Sequence, residues 1–403
     1  MSVYIIGTCD TKYEELLFVK EIIEKSDIKV KLVDVSTKPH QNKADISNFE
    51  IETYSPQKEK IINITDRGKA IALMSDALEN FIIKQQDLSG VIGLGGSGGT
   101  SLISKGMRAL PIGIPKILVS TVASGNISHY IGASDIFMLY SVTDIAGINR
   151  ISSIVLSNAA KAMIGMIEKR YDIKIENQKI AIGLTMFGVT TPCVNTVRKR
   201  LENNYDCLVF HATGSGGQSM EKLVESGMIG GVIDITTTEI CDLFMGGVMS
   251  ATEDRLGAII RTKIPYVGSV GAMDMVNFGP INTVPEKYKN RNLYIHNPQV
   301  TLMRTTASEN AEMGKWIANK LNQCEGYVRF LLPLKGVSML DMEGYPFYDP
   351  EADKALFESI ERTLIQTDRR KLIKLGLHIN DAEFANALVE HFLEIHGIGR
   401  FIR

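Results

Sequence analysis

Cysteine is scarce in this chain and badly placed for pairing: Cys9, Cys193, Cys207, Cys241 and Cys324 are an odd set with no CxxC spacing. That excludes a full disulfide framework and a zinc site built on paired cysteines, and it fits thiols kept reduced in a cytoplasm. A long apolar run is also missing. The least polar stretch, Ile151–Ile167, is broken by Ser152, Ser153, Ser157, Asn158 and Lys161, whereas a membrane span needs about 20 apolar residues. Positive charge is neither abundant nor clustered. Lys and Arg number 44 against 46 Asp and Glu, for a net charge of -2, so nucleic acid is not an expected partner. No basic segment precedes the first apolar run, Val3–Gly7, which reads as a strand rather than a signal peptide.

A chain of 403 residues exceeds what one core usually supports, so two domains are expected. Short Val- and Ile-rich runs alternate with helical patterns, which predicts an α/β fold of two Rossmann-like subdomains, mostly parallel sheets flanked by helices. In the first half the predicted strands are Val3–Gly7, Lys29–Val35, Gly90–Leu94, Lys116–Ser120 and Ile136–Tyr140. The polar stretch Ser36–Thr65 reads as a mobile surface connection. A second polar stretch, Tyr171–Gln178, places the boundary between a nucleotide-binding domain, 1–177, and a C-terminal domain, 178–403. Strands are expected there at Lys179–Leu184, Cys207–His211 and Gly231–Ile235, and near Tyr266, Leu293–His296, Val328–Leu332 and Leu372–Leu375. Gly95-Gly96-Ser97-Gly98-Gly99 and Gly214-Ser215-Gly216-Gly217 echo each other, each between a strand and a helix. The echo raises a duplicated unit, with two facing domains and a cleft between them.

Five glycines crowd the turn Gly93–Thr100. Such a turn lets backbone N–H groups converge where no Cβ intrudes, and the following helix adds partial positive charge, which suits a phosphate. Three templates overlap here. The dinucleotide fingerprint also wants an acidic residue about 20 positions on, and none occurs between Ala109 and Ser134. The phosphate loop fits except that Gly99 stands in the lysine's place, so a cation must come from elsewhere. Lys12, in Thr8-Cys9-Asp10-Thr11-Lys12 at the end of the first strand, is the candidate, with Asp10 as a Mg²⁺ ligand. A nucleophile elbow at Ser97 needs a downstream acid and histidine, and neither His129 nor His211 lies in a triad context.

Ser120 and Thr121 offer hydroxyls for ribose or phosphate on the same expected sheet edge, or simply satisfy their own loop. In the second half, Glu239 stands either as a helix-capping residue three positions after Thr236 or as a general base. His211, Glu239, Asp274, His296 and Arg304 form a candidate catalytic set around a second small molecule.

The stretches Gly7–Lys12, Gly95–Thr100, Tyr140–Arg150, Phe210–Gly217, Asn277–Pro280 and His296–Arg304 together resemble the ATP-binding region of the plant tomato mosaic virus resistance proteins and their microbial relatives. The resemblance covers essentially the whole chain. It implies ATP bound in the N-terminal subdomain by Thr8, Asp10, Thr11, Lys12, Gly95, Gly96, Ser97, Gly98, Gly99 and Thr100. It also implies a homodimer, and a TIM-barrel partner present as a separate chain. The relatives often carry glycine where this chain has Tyr13. The expected function is an ATP-binding protein that acts on or senses a small metabolite, by phosphoryl transfer or carboxylate activation if it is an enzyme. The alternative is a non-catalytic, nucleotide-responsive interaction protein.

Overall fold

The near-continuous apolar strands expected for parallel sheets covered on both faces are present in a computed structural model, which describes residues 1–57, 60–168 and 179–399. The chain divides into two compact units, Met1–Lys174 and Ile175–Arg403. The expected boundary, with its polar stretch Tyr171–Gln178, lies outside the described residues.

The first unit contains β1 (Ser2–Gly7), β2 (Lys29–Asp34), β3 (Leu88–Gly95), β4 (Lys116–Ser120) and β5 (Phe137–Tyr140). They form one parallel sheet in the order β2-β1-β3-β4-β5. Alternate residues of β1 serve opposite faces. Val3 and Ile5 pack with α1 (Tyr13–Glu24), while Tyr4 and Ile6 pack with α3 (Arg67–Ile82), the short α2 (Asn48–Glu52) lying between these helices in the chain. The helices α4 (Ser97–Ala109), α5 (Ser128–Ile131) and α6 (Arg150–Glu168) follow. The segment after β2 is less loose than expected. Ile46 bridges to Val33, and Ile46, Ile51 and Ile61 are buried against the core, because apolar residues spaced through a polar stretch can anchor it without forming a long element.

The second unit repeats the winding. Its large parallel sheet uses β6 (Ile180–Met186), β7 (Tyr205–His211), β8 (Val232–Thr236) and β9 (Tyr266–Gly271). A smaller antiparallel sheet of β10 (Met275–Phe278), β11 (Leu293–Asn297) and β12 (Val300–Arg304) interrupts it. The strands β13 (Val328–Pro333) and β14 (Arg370–Leu375) then complete an order of β7-β6-β8-β9-β13-β14. Both large sheets therefore place their second strand outside the first and their third on its other side. The two glycine-rich turns nevertheless occupy different stations, after β3 in one unit and after β7 in the other. They are not copies of one position. The helices of this unit are α7 (Thr191–Leu201), α8 (Ser215–Glu225), α9 (Glu239–Met245), α10 (Gly257–Thr262), α11 (Ala307–Asn322), α12 (Pro350–Thr363) and α13 (Ala382–Gly399). Helix α11 begins on a full capping box of Thr306 and Glu309.

At the end of β3 the chain is too tight for any side chain. A Cβ on Gly95 would stand 2.5 Å from the Thr100 amide nitrogen, whereas one on Gly99 would meet nothing closer than 3.8 Å. Gly95→Ala is expected to cost about 3 kcal/mol of stability and Gly99→Ala much less, measured by denaturant unfolding of the two variants side by side.

Candidate functional site

In open parallel sheets ligands bind beyond the carboxyl ends of the strands, where neighbouring connections leave in opposite directions. In the first unit that place lies between β1 and β3. A cleft of about 910 Å³ opens there, within the size range of small-molecule sites. Its walls are the loops after β1, β2, β3, β4 and β5, together with Arg67 and Ile71 of α3.

Most residues expected to hold a nucleotide meet in this cleft. Thr8, Asp10, Thr11 and Lys12 line one side, Gly96, Ser97, Gly98 and Gly99 the other, and Thr121 lies between. Gly95, Thr100 and Ser120 lie beneath it. Thr100 and Ser120 are fully buried, and their hydroxyls join at 2.6 Å, so they fasten the turn to β4 rather than face the cleft. Gly96, the N-cap of α4, offers no side chain. The first-turn amides of Ser97, Gly98 and Gly99 find no acceptor among the described residues. Unsatisfied amides at a helix start favour an anion.

Asp10 keeps much of its carboxylate free. Ser36 Oγ stands 3.3 Å from Asp10 Oδ1 but 2.5 Å from Asp34 Oδ1, and its single proton goes to the nearer oxygen. Lys12 is more committed, donating from Nζ to the Ile145 carbonyl at 2.6 Å. One helical turn on, Glu15 accepts from the Gly147 amide at 2.5 Å. Both contacts hold the loop after β5, which brings Tyr140, Val142, Thr143 and Asp144 to the cleft. Val142 has φ +65, a left-handed conformation that a β-branched residue adopts only under constraint.

The ribose-binding acid of the dinucleotide motif ends the second strand, and Asp34 does stand there. Its Oδ1, however, accepts from the amides of Cys9 and Ser36 and from Ser36 Oγ, and its Oδ2 pairs with His40 Nε2 at 2.7 Å. The carboxylate is saturated by the protein. His40 is equally occupied, since its Nδ1 accepts from the Asn42 amide. It is therefore no base for Ser97, whose hydroxyl makes no hydrogen bond to a histidine among the described residues.

Sequence reasoning missed Arg67, Lys38, His40, Tyr140, Val142 and Asp144. The loops after β2 and β5 were findable from the sheet-edge rule once strand order was known. Arg67, at the start of a helix on one face of the sheet, gave no signal.

The expected second site is not assembled in the same way. His211 ends β7, exposed and stacked on Phe187 with 5.2 Å between ring centroids. His296 is exposed on β11. Glu239 is buried and closes the second glycine turn, accepting from the Gly214 amide at 2.8 Å and from Arg255 Nε at 2.6 Å. Arg255 also binds Glu221 and Asp234. Thus the start of α8 already holds a carboxylate of its own chain. Asp274 and Arg304 do come together, in a different buried network with Asp341, Asp353 and Ser338. Arg304 there also holds the Phe347 carbonyl at 2.7 Å. No group of three or more His, Cys, Asp or Glu side chains suited to a metal ion occurs among the described residues.

With this geometry in place, comparison with known proteins decides the family. The models of the N-terminal and C-terminal domains of the uncharacterised protein family UPF0261 match residues 1–172 and 179–396. The chain belongs to the UPF0261 family. A UPF0261 protein of Rhizobium meliloti is 53% identical over 98% of both chains, and one of Clostridium tetani is 48% identical over the same shares. The tomato (Solanum lycopersicum) ToMV resistance protein Tm-1 is 49% identical over 99% of this chain, which spans 56% of the tomato protein's length. The tomato ToMV susceptible protein tm-1 is also 49% identical, over 98% of this chain and 55% of its own length.

The buried carboxylates of the second unit make stability depend on pH. Burial drives Asp242 up to about 7, against three amide N–H groups, from Asn277 and Met249, that favour its charge. Burial and then the neighbouring Asp341 raise Asp353 and Asp274, and Arg304 only partly offsets them. The folded chain thus keeps these protons to higher pH than the unfolded chain, whose carboxylates titrate near about 4. Their contribution is complete below about 4 and is lost as pH rises through neutrality, by up to about 1.4 kcal/mol per pH unit per proton. Urea unfolding from pH 5 to 9 is expected to show this fall, and Asp353→Asn, which removes one of these buried titrating carboxyls, is expected to flatten it.

Proposed function

We propose that this chain binds ATP in the cleft of its first unit, with the phosphates on the first turn of α4. The observation that carries the reading is the open, glycine-lined helix start facing Asp10, Lys12 and Arg67 across one cleft. Mg²⁺ fits the same place. It is usually held by one or two carboxylates together with substrate phosphates and water, and Asp10 supplies an oxygen free of strong protein donors. The ion would neutralise phosphate charge, and Thr8, Thr11 and Thr121 also line the cleft.

Two uses of the nucleotide follow. In the first, ATP drives phosphoryl transfer to, or activation of, a small carboxylate. In the second, ATP is sensed, and the protein passes its bound state to a partner, such as a second copy or a separate TIM-barrel chain. The scatter of His211, Glu239, His296 and the Asp274–Arg304 pair over separate environments favours the second. Exposed Phe137 on the edge strand β5 is consistent with self-association, since sheet edges are templates for pairing.

Isothermal titration with Mg·ATP is expected to show saturable binding to the wild type. In Gly98→Val, whose Cβ would stand 3.0 Å from Ile71 Cδ1 and crowd the cradle, binding is expected to be weaker by about tenfold or more. Equal binding by both proteins, or none by the wild type, would sink the reading. ADP release measured across a panel of carboxylates then separates use from sensing.

A further inference from the structure

We infer that the cation missing from the glycine turn is supplied by Arg67, which grips the terminal phosphates of the bound polyphosphate. The inference rests on the nucleotide reading above. In the phosphate loop a lysine within the turn reaches the β- and γ-phosphates, and here Gly99 stands in its place. Lys12, the candidate from sequence, has its ammonium tied to the Ile145 carbonyl, where it positions the loop after β5. Arg67 comes from the opposite wall. Its Nη2 lies 3.6 Å from the point where a Cβ on Gly98 would stand, so the guanidinium hangs over the first turn of α4.

Three features separate Arg67 from a solvated surface charge. It makes no hydrogen bond or ion pair among the described residues, although it shares the cleft with Asp10 and Asp144. It is the first residue of α3, a station where the helix dipole disfavours a cation. Moreover, α3 and α4 lie side by side and run the same way, with Gly98 against Ile71 and Gly106 against Leu78 and Ile82. Both positive helix ends therefore reach the same rim. Asp66 caps α3 through the Lys69 amide, but among the described residues no acceptor meets the first-turn amides of α4 or Arg67. An anion of several charges, bound by a planar fork of N–H donors, satisfies both together. Lys38 also lines the cleft, but from the loop after β2 rather than over the turn.

The test is titration of the full chain with Mg·ATP and separately with inorganic tripolyphosphate, which lacks base and ribose. Wild type, Arg67→Ala, Arg67→Lys and Lys38→Ala are compared, with melting temperature as the folding control. Because Arg67 is exposed and makes no hydrogen bond or ion pair among the described residues, Arg67→Ala is expected to melt with the wild type. It is expected to bind both probes about ten- to a hundredfold more weakly, with Arg67→Lys intermediate and Lys38→Ala less affected. If the wild type binds Mg·ATP and Arg67→Ala binds it equally well, the assignment of Arg67 is overturned while the nucleotide reading stands. If the wild type takes tripolyphosphate but not ATP, the nucleotide reading fails, and the Arg67→Ala titration with tripolyphosphate decides the assignment. Binding of neither probe by the wild type overturns both.

Discussion

The cleft depends on how closely the start of α4 approaches the end of β3. A Cβ on Gly95 would lie 2.5 Å from the Thr100 amide nitrogen, so the strand turns into the helix with nothing between them. The Thr100–Ser120 hydroxyl pair fixes that approach from below. A second packing glycine, Gly93, lets Ile103 of α4 lie against the strand. These contacts set the helix axis, and the axis sets where three bare amides point. The tethered turn thus holds these amides in a fixed arrangement, which would leave little to rearrange for an anion of the kind proposed.

The second unit shows the same fold with the opposite outcome. Its large sheet winds in the same order, and it too has a helix beginning on Gly-Ser-Gly-Gly. That helix follows the second strand of its unit, and Glu239 reaches across to the Gly214 amide. Glu239 is in turn held by Arg255, so the anion at this helix start is part of the core. In the first unit the helix start faces a cleft, whereas in the second a buried carboxylate of the chain takes the N-cap amide. A shared glycine pattern therefore does not mean a shared ligand. What differs is whether a carboxylate of the chain itself can reach the turn.

Much of this was legible in the sequence. Strand positions followed from apolar runs because both faces of a parallel sheet are buried, leaving little polar alternation to mislead. The residues around Asp10 and the glycine turn were legible because strand ends in this fold carry ligands. Three things were not. The antiparallel β10–β12–β11 sheet is short, and its register depends on partners far along the chain. The Arg255 network links residues up to 34 positions apart from that arginine, and spacing carries no sign of it. The Lys12 tether was hidden for a similar reason: its carbonyl partner, Ile145, is 133 residues away.

The charge balance of the cleft supports the proposal of a polyanion as its ligand. Lys12, Lys38 and Arg67 face it with Asp10 and Asp144, leaving one net positive charge plus the partial charge of the α4 start. A free phosphate on the amides would share the cleft with Asp10 and Asp144 without a cation to screen the repulsion. In the proposed complex Asp10 would hold Mg²⁺, which would neutralise phosphate charge, and Arg67 would take the outer phosphates. The acid that looks out of place beside a phosphate cradle is then what ties the reading to a metal-bound nucleotide rather than to a free anion.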